Sequence, residues 1–138
     1  SYDGRWFAYR NYSGPDLLVD LHTGKKISLG EDTYCEGFSP ARSELALTHR
    51  GSFYSRSETI TLHYCLSGKR REIRAPGVLD GGLVWSPDGK FLAYFGNVSR
   101  AAYQNWTPDL RVIRADGTGS ATLYRSVPME NPGLLWLP

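Results

Sequence analysis

Short apolar runs alternate with polar turns along the whole chain, and no segment keeps a 3.6-residue apolar period for three helical turns. Leu83-Val84-Trp85 is followed by Ser86-Pro87-Asp88-Gly89 and then by Lys90-Phe91-Leu92-Ala93-Tyr94. Pro fixes φ, Asp bonds its own backbone and Gly takes the positive φ that closes a tight reversal, so this stretch predicts two antiparallel strands. Val, Ile, Leu and aromatic residues punctuated by Gly and Pro predict strands throughout. Several runs are apolar at both alternating positions, which is expected of strands covered on both faces.

The strand–turn–strand pattern recurs. Phe38-Ser39-Pro40 precedes Glu44-Leu45-Ala46-Leu47, and Asp3-Gly4-Arg5-Trp6-Phe7-Ala8-Tyr9 matches the second half of the unit without a leading strand. Gly133-Leu134-Leu135-Trp136-Leu137-Pro138 matches the first half without a following strand. The aligned alanines Ala8, Ala46 and Ala93 are 38 and 47 residues apart, and Trp85 and Trp136 are 51 apart. After each Ala strand comes a third strand ending in a glycine turn, at Gly24, Gly68 and Gly117, and then a short fourth strand. A period of about 40–50 residues built from short strands is the spacing of propeller blades. The expected fold is all-β, with three four-stranded antiparallel β-propeller blades forming half of a six-bladed propeller. The expected bounds are about 1–34 for the first blade, about 35–80 for the second and about 81–132 for the third.

Trp85-Ser-Pro-Asp-Gly-Lys-Phe-Leu-Ala-Tyr94, with the third strands ending Val112-Ile113-Arg114-Ala115-Asp116-Gly117 and Val19-Asp20-Leu21-His22-Thr23-Gly24, resembles the TolB-like (WD-repeat-like) β-propeller family. The same residues resemble the propeller domains of prolyl-oligopeptidase-type peptidases. The resemblance covers nearly the whole chain. It implies the fold and an exported protein, periplasmic or secreted, and it assigns no chemistry, because the motif residues make turns and cores. Two departures stand out: Ala41-Arg42-Ser43 replaces the usual Asp-Gly turn, and Arg114 stands where the family often has Asp.

Charge and cysteine change this picture little. With 16 basic and 14 acidic residues, no net field calls for nucleic acid. The run Lys69-Arg70-Arg71-Glu72-Ile73-Arg74 reads as a solvated outer strand whose charges guard an edge, with an anion-binding patch as the alternative. No stretch is apolar for the ~20 residues of a membrane span. Cys35, placed just before the first strand of its blade, and Cys65, in the third, predict two free thiols. A disulfide would require Cys35 to lie beyond the strand end, because first and third strands are about 10 Å apart.

No catalytic constellation is legible. His22, His49 and His63 fall on separate strands without a metal-binding spacing, and no Gly-x-Ser-x-Gly elbow occurs. Neither a metal nor a cofactor is expected, and the chain reads as a protein without enzymatic activity. Recognition is expected in two long loops that mix aromatic, Arg and small polar residues, with Tyr54, Arg56, Arg100, Tyr103 and Trp106 as a binding rim. The expected role is a noncatalytic interaction scaffold for a protein or peptide partner. The alternatives are a small-ligand or carbohydrate-binding propeller, with Tyr103 and Trp106 as stacking platforms, and an accessory propeller of a peptidase or lyase.

Three blades do not close a ring, and propellers close with about four to eight. A homodimer would give six, with Leu135 and Trp136 of one chain supplying the inner strand that Trp6 and Phe7 of the other lack. The competing expectation is a segment of a larger single-chain propeller.

Overall fold

A computed structural model describes residues 1–49, 57–78, 82–96, 107–127 and 134–136, except for the side chains of Ser57, Pro76 and Val78. The described residues hold strands and no helix, arranged in three antiparallel sheets. The first sheet has β1 (Trp6–Tyr9), β2 (Leu17–Asp20) and β3 (Lys26–Ser28) in that order. In the second, β4 (Thr33–Phe38), β5 (Glu44–His49), β6 (Ser57–Tyr64) and β7 (Arg70–Val78) also follow chain order. The third repeats the plan with β8 (Leu83–Trp85), β9 (Phe91–Gly96), β10 (Asp109–Arg114) and β11 (Ser120–Tyr124). Each four-stranded sheet is a simple meander, so neighbours in sequence are neighbours in space.

The predicted turns form as their chemistry requires. Ser86 N–H donates to Phe91 O at 2.9 Å, Ser86 Oγ accepts Phe91 N–H at 2.9 Å, and Gly89, at φ 68°, donates to Ser86 O at 2.9 Å. Ser1 repeats this set around the first turn. Its amino group donates to Trp6 O at 2.9 Å, its Oγ accepts Trp6 N–H at 2.8 Å, and Gly4, also at φ 68°, donates to Ser1 O at 3.1 Å. Asp3 and Asp88 accept the N–H of Arg5 and of Lys90, both at 3.1 Å. The departing turn at Ala41-Arg42-Ser43 keeps only the outer part of the pattern. Ser39 N–H donates to Glu44 O, but Glu44 N–H closes on Arg42 O, so no residue there needs a positive φ.

Two apolar cores lie between successive sheets. Trp6, Leu18 and Leu29 of the first sheet meet Leu45, Leu47 and Cys65 of the second. Ala46, Ile60, Leu62 and Ile73 of the second meet Leu83, Trp85, Leu92, Tyr94 and Ile113 of the third. Alternate side chains of a strand point to opposite faces, so β5 sends Leu45 and Leu47 one way and Ala46 the other. The continuous apolar run of β5 follows from this double burial.

Polar ties reinforce the stacking. The buried Asp16 carboxylate accepts N–H bonds from Asn11 (3.0 Å) and, across the gap, from Cys35 (2.8 Å). Arg70 donates to Leu29 O of the first sheet at 2.8 Å, and Arg71 donates to Ala115 O of the third. The basic run is therefore more than a solvated edge: two of its guanidinium groups bind carbonyls of the flanking sheets.

Cys35 lies inside β4, at a bulge between Cys35 and Gly37, and not before the strand as the sequence suggested. Cys65 lies one residue past β6, in the turn. Both thiols are free, with Cys65 buried and Cys35 half-buried. The β5 strand stands between their strands, as the spacing argument required.

Candidate functional site

Among the described residues, a concavity lies where β4 and β8 run side by side. Trp85 anchors it: its indole Nε1 donates to Gly37 O at 3.0 Å, a bond between the leading strands of the second and third sheets. Residues 134–136 extend the same arrangement on the far side of β8, where Trp136 Nε1 donates to Val84 O at 3.3 Å. Gly37 and Val84 are equivalent positions, paired with Ala46 and Ala93 respectively. Trp136 thus binds the third sheet as Trp85 binds the second.

Between these segments lies a groove of about 290 Å³, walled by Phe38, Val84, Trp85, Leu135 and Trp136, with Pro40 and Pro87 at its turns. Its one ionisable side chain is Glu36, whose Oε1 accepts a 2.5 Å hydrogen bond from Thr48 Oγ1. Apolar walls with few fixed polar groups suit the binding of an uncharged or weakly polar segment.

The histidines lie away from this groove. His22 sits in the exposed turn after β2. His49 Nε2 lies 3.1 Å from Thr61 Oγ1 on the neighbouring strand. His63 is buried on β6 and its Nδ1 accepts from Arg70 Nε at 3.4 Å, so Nε2 carries the proton, without a partner among the described residues. Burial, and then the Arg70 charge, push its pKa below the ordinary value.

The surroundings of both thiols disfavour the thiolate. Burial first, and the Asp16 carboxylate second, push Cys35 up to about 12, and burial pushes Cys65 up to about 11. Only the thiolate is a nucleophile, and both groups stay protonated at neutral pH. Hydrogen bonds from the Ser1 and Ser43 hydroxyls lower the Asp3 carboxyl to about 2, and the Arg5 fork holds Asp20 below the usual carboxylate range. Each of these aspartates holds a turn. Among the described residues, no group of three His, Cys, Asp or Glu side chains gathers around a point that could hold a metal.

The rim residues Tyr54, Arg56, Arg100, Tyr103 and Trp106 lie outside the described residues. Of the four closure residues, Trp136 lies against Val84, while Leu135 is 80% exposed at the groove. Trp6 is buried in the first core, and Phe7 is 53% exposed beside Tyr9, their rings stacked at 6.0 Å. The groove itself was missed by loop-based reasoning. The signal for it was present in Phe38, Trp85 and Trp136, which occupy the same repeat position.

Among solved structures, the tricorn protease, a β-propeller-containing protein, matches with a TM-score of 0.56 and 16% identity over 88% of this chain. The fold is propeller-like. The chain spans 12% of the length of that tricorn protease chain. No family model and no curated protein matches the sequence. Within a propeller-like frame, β4 and β8 are the leading strands of successive sheets, and the groove between them lies on that leading side.

Proposed function

We propose that the chain is a noncatalytic propeller module of the TolB-like kind that binds an extended segment of a protein or peptide. The observation that carries this reading is the groove beside Trp85, built from Phe38, Trp85 and Trp136 with a single carboxylate at Glu36. An apolar trough flanked by strand backbone favours an extended peptide, whose side chains alternate between wall and solvent and whose amides meet strand carbonyls. The aromatic and Arg content of the rim residues Tyr54, Arg56, Arg100, Tyr103 and Trp106 suits the same kind of partner.

The test is a selection from a random-peptide display library, run beside a glycan array with the same labelled chain. Peptide enrichment that falls at least tenfold in Phe38→Ala is the expected result, since about 1.4 kcal/mol corresponds to tenfold. Retention on glycans alone, abolished by Trp106→Ala and Tyr103→Ala, would replace this reading with the carbohydrate-binding one.

A second reading has one observation in its favour, the likeness to part of a protease chain. On that reading the module is an accessory propeller of a peptidase. A parent gene that continues into a hydrolase domain would support it, and a gene coding for propeller repeats alone would count against it.

A further inference from the structure

We infer that Tyr94 and Arg111 form an anion site between the second and third sheets, one that takes a carboxylate. Tyr94 on β9 and Arg111 on β10 are directly opposed in the register. Two residues away, Leu92 and Ile113 are opposed in the same way and belong to the core shared by the two sheets. Alternate residues of a strand share a face, so Tyr94 and Arg111 both stand on the face that packs against Ala46, Ile60 and Ile73 of the second sheet. Opposed side chains of an antiparallel pair have Cβ atoms about 4.5–5.5 Å apart, so the two side chains leave the sheet as neighbours.

Both groups lack a partner. Tyr94 is 0% exposed, and its hydroxyl is buried without a hydrogen bond among the described residues. Arg111 is half-buried and its Nε is shielded from solvent. Its guanidinium makes neither a hydrogen bond nor an ion pair among the described residues. Polar groups on the two facing surfaces are engaged elsewhere. Asp109, which shares the Arg111 face of β10, accepts Ser126 N–H at 3.2 Å through Oδ1. Thr48, buried on the facing side of the second sheet, donates its hydroxyl to Glu36. Arg71, which reaches across from the second sheet, binds Ala115 O.

A buried donor without an acceptor is costly, and an unpaired charge is costlier. The deficit here is one of acceptors and of negative charge. Burial raises the Tyr94 pKa, against the opposing effect of the Arg111 charge, and so keeps the phenol a donor. A guanidinium has donors only. A single carboxylate answers both: its two oxygens accept Nε–H and an Nη–H of the planar fork as a bidentate pair, and a remaining lone pair accepts the Tyr94 hydroxyl. Water would satisfy the hydrogen bonds and leave the charge uncompensated, and a cation is repelled. This inference does not rest on the peptide-binding reading, since the groove is walled by β4, β8 and residues 135–136, whereas this pair stands on β9 and β10.

The test is thermal unfolding of the unaltered chain, Tyr94→Phe and Arg111→Met in acetate, in N-acetylglycine and in chloride at matched ionic strength. In at least one of the two carboxylates the Tm of the unaltered chain is expected to rise with the logarithm of concentration, as binding to the folded state requires. That rise is expected to be lost in both variants. A rise in acetate makes a small free carboxylate sufficient, and a rise in N-acetylglycine alone assigns the site to the carboxyl end of a peptide. A rise that both variants keep, a rise equally large in chloride, or no rise at all leaves the two donors to water and overturns the inference. Without a carboxylate, Tyr94→Phe is expected to unfold no lower than the unaltered chain, because it loses a hydroxyl that has no partner. A lower Tm for that variant would mean that the hydroxyl is already bonded, and overturns the inference too. Should Arg111→Met misfold, the shape-conserving Tyr94→Phe decides alone.

Discussion

Gly4 and Gly89 share a φ of 68° but not their surroundings. A Cβ on Gly89 would stand 2.8 Å from Ala41 Cβ and 3.1 Å from Ser39 Oγ, whereas a Cβ on Gly4 meets nothing within 4 Å. Both alanine variants incur the cost of a left-handed backbone, about 1–2 kcal/mol. Gly89→Ala also forces the two neighbouring turns apart, an overpacking penalty of about 1–3 kcal/mol. Urea unfolding is expected to show Gly89→Ala as the weaker variant by that margin. At the same scale, His63 is buried neutral and its pKa is depressed by desolvation. A depressed histidine stabilises the fold above its unfolded pKa, and that stability is lost as pH falls from about 6.5 through the folded value. Thermal unfolding should therefore weaken between pH 7.5 and pH 5, with a smaller drop in His63→Gln. The turn glycines were legible because Asp-Gly chemistry is local. The burial of His63 was not, because it arises only when the sheets stack.

Between elements, hydrogen bonds to the backbone link sheets that otherwise meet through apolar side chains. Arg71 binds Ala115 O, so Arg71→Met leaves a carbonyl short of a charged donor. The expected loss is about 2 kcal/mol in chemical denaturation. Asp16→Ala strips acceptors from the N–H groups of Asn11 and Cys35 and should cost about 2–4 kcal/mol, with Asp16→Asn recovering part of it. The sheet-forming stretches were legible from their apolar runs and glycine turns, including the reversal over Gly117-Thr118-Gly119 between β10 and β11. The role of Arg70 and Arg71 was not. A basic run on an outermost strand looks solvated until the neighbouring sheets are in place, and only then do the Leu29 and Ala115 carbonyls come within reach.

At the scale of the whole molecule, the repeat of the Trp-Ser-Pro unit gave the order of strands and the stacking of sheets, because each copy encodes the same turn and the same alternation. It also marked the two unmatched halves, at Ser1 and at Trp136. The groove beside Trp85 escaped notice for a physical reason. Its walls come from three separate copies of one repeat position, and their proximity appears only when the sheets stack. Peptide binding by the unaltered chain tests this most directly. The account predicts that peptides selected from a random display library lose at least tenfold in affinity for Phe38→Ala but not for Tyr12→Ser, which alters an exposed residue that does not line the groove. Selected peptides that bind Phe38→Ala as tightly as the unaltered chain would contradict it.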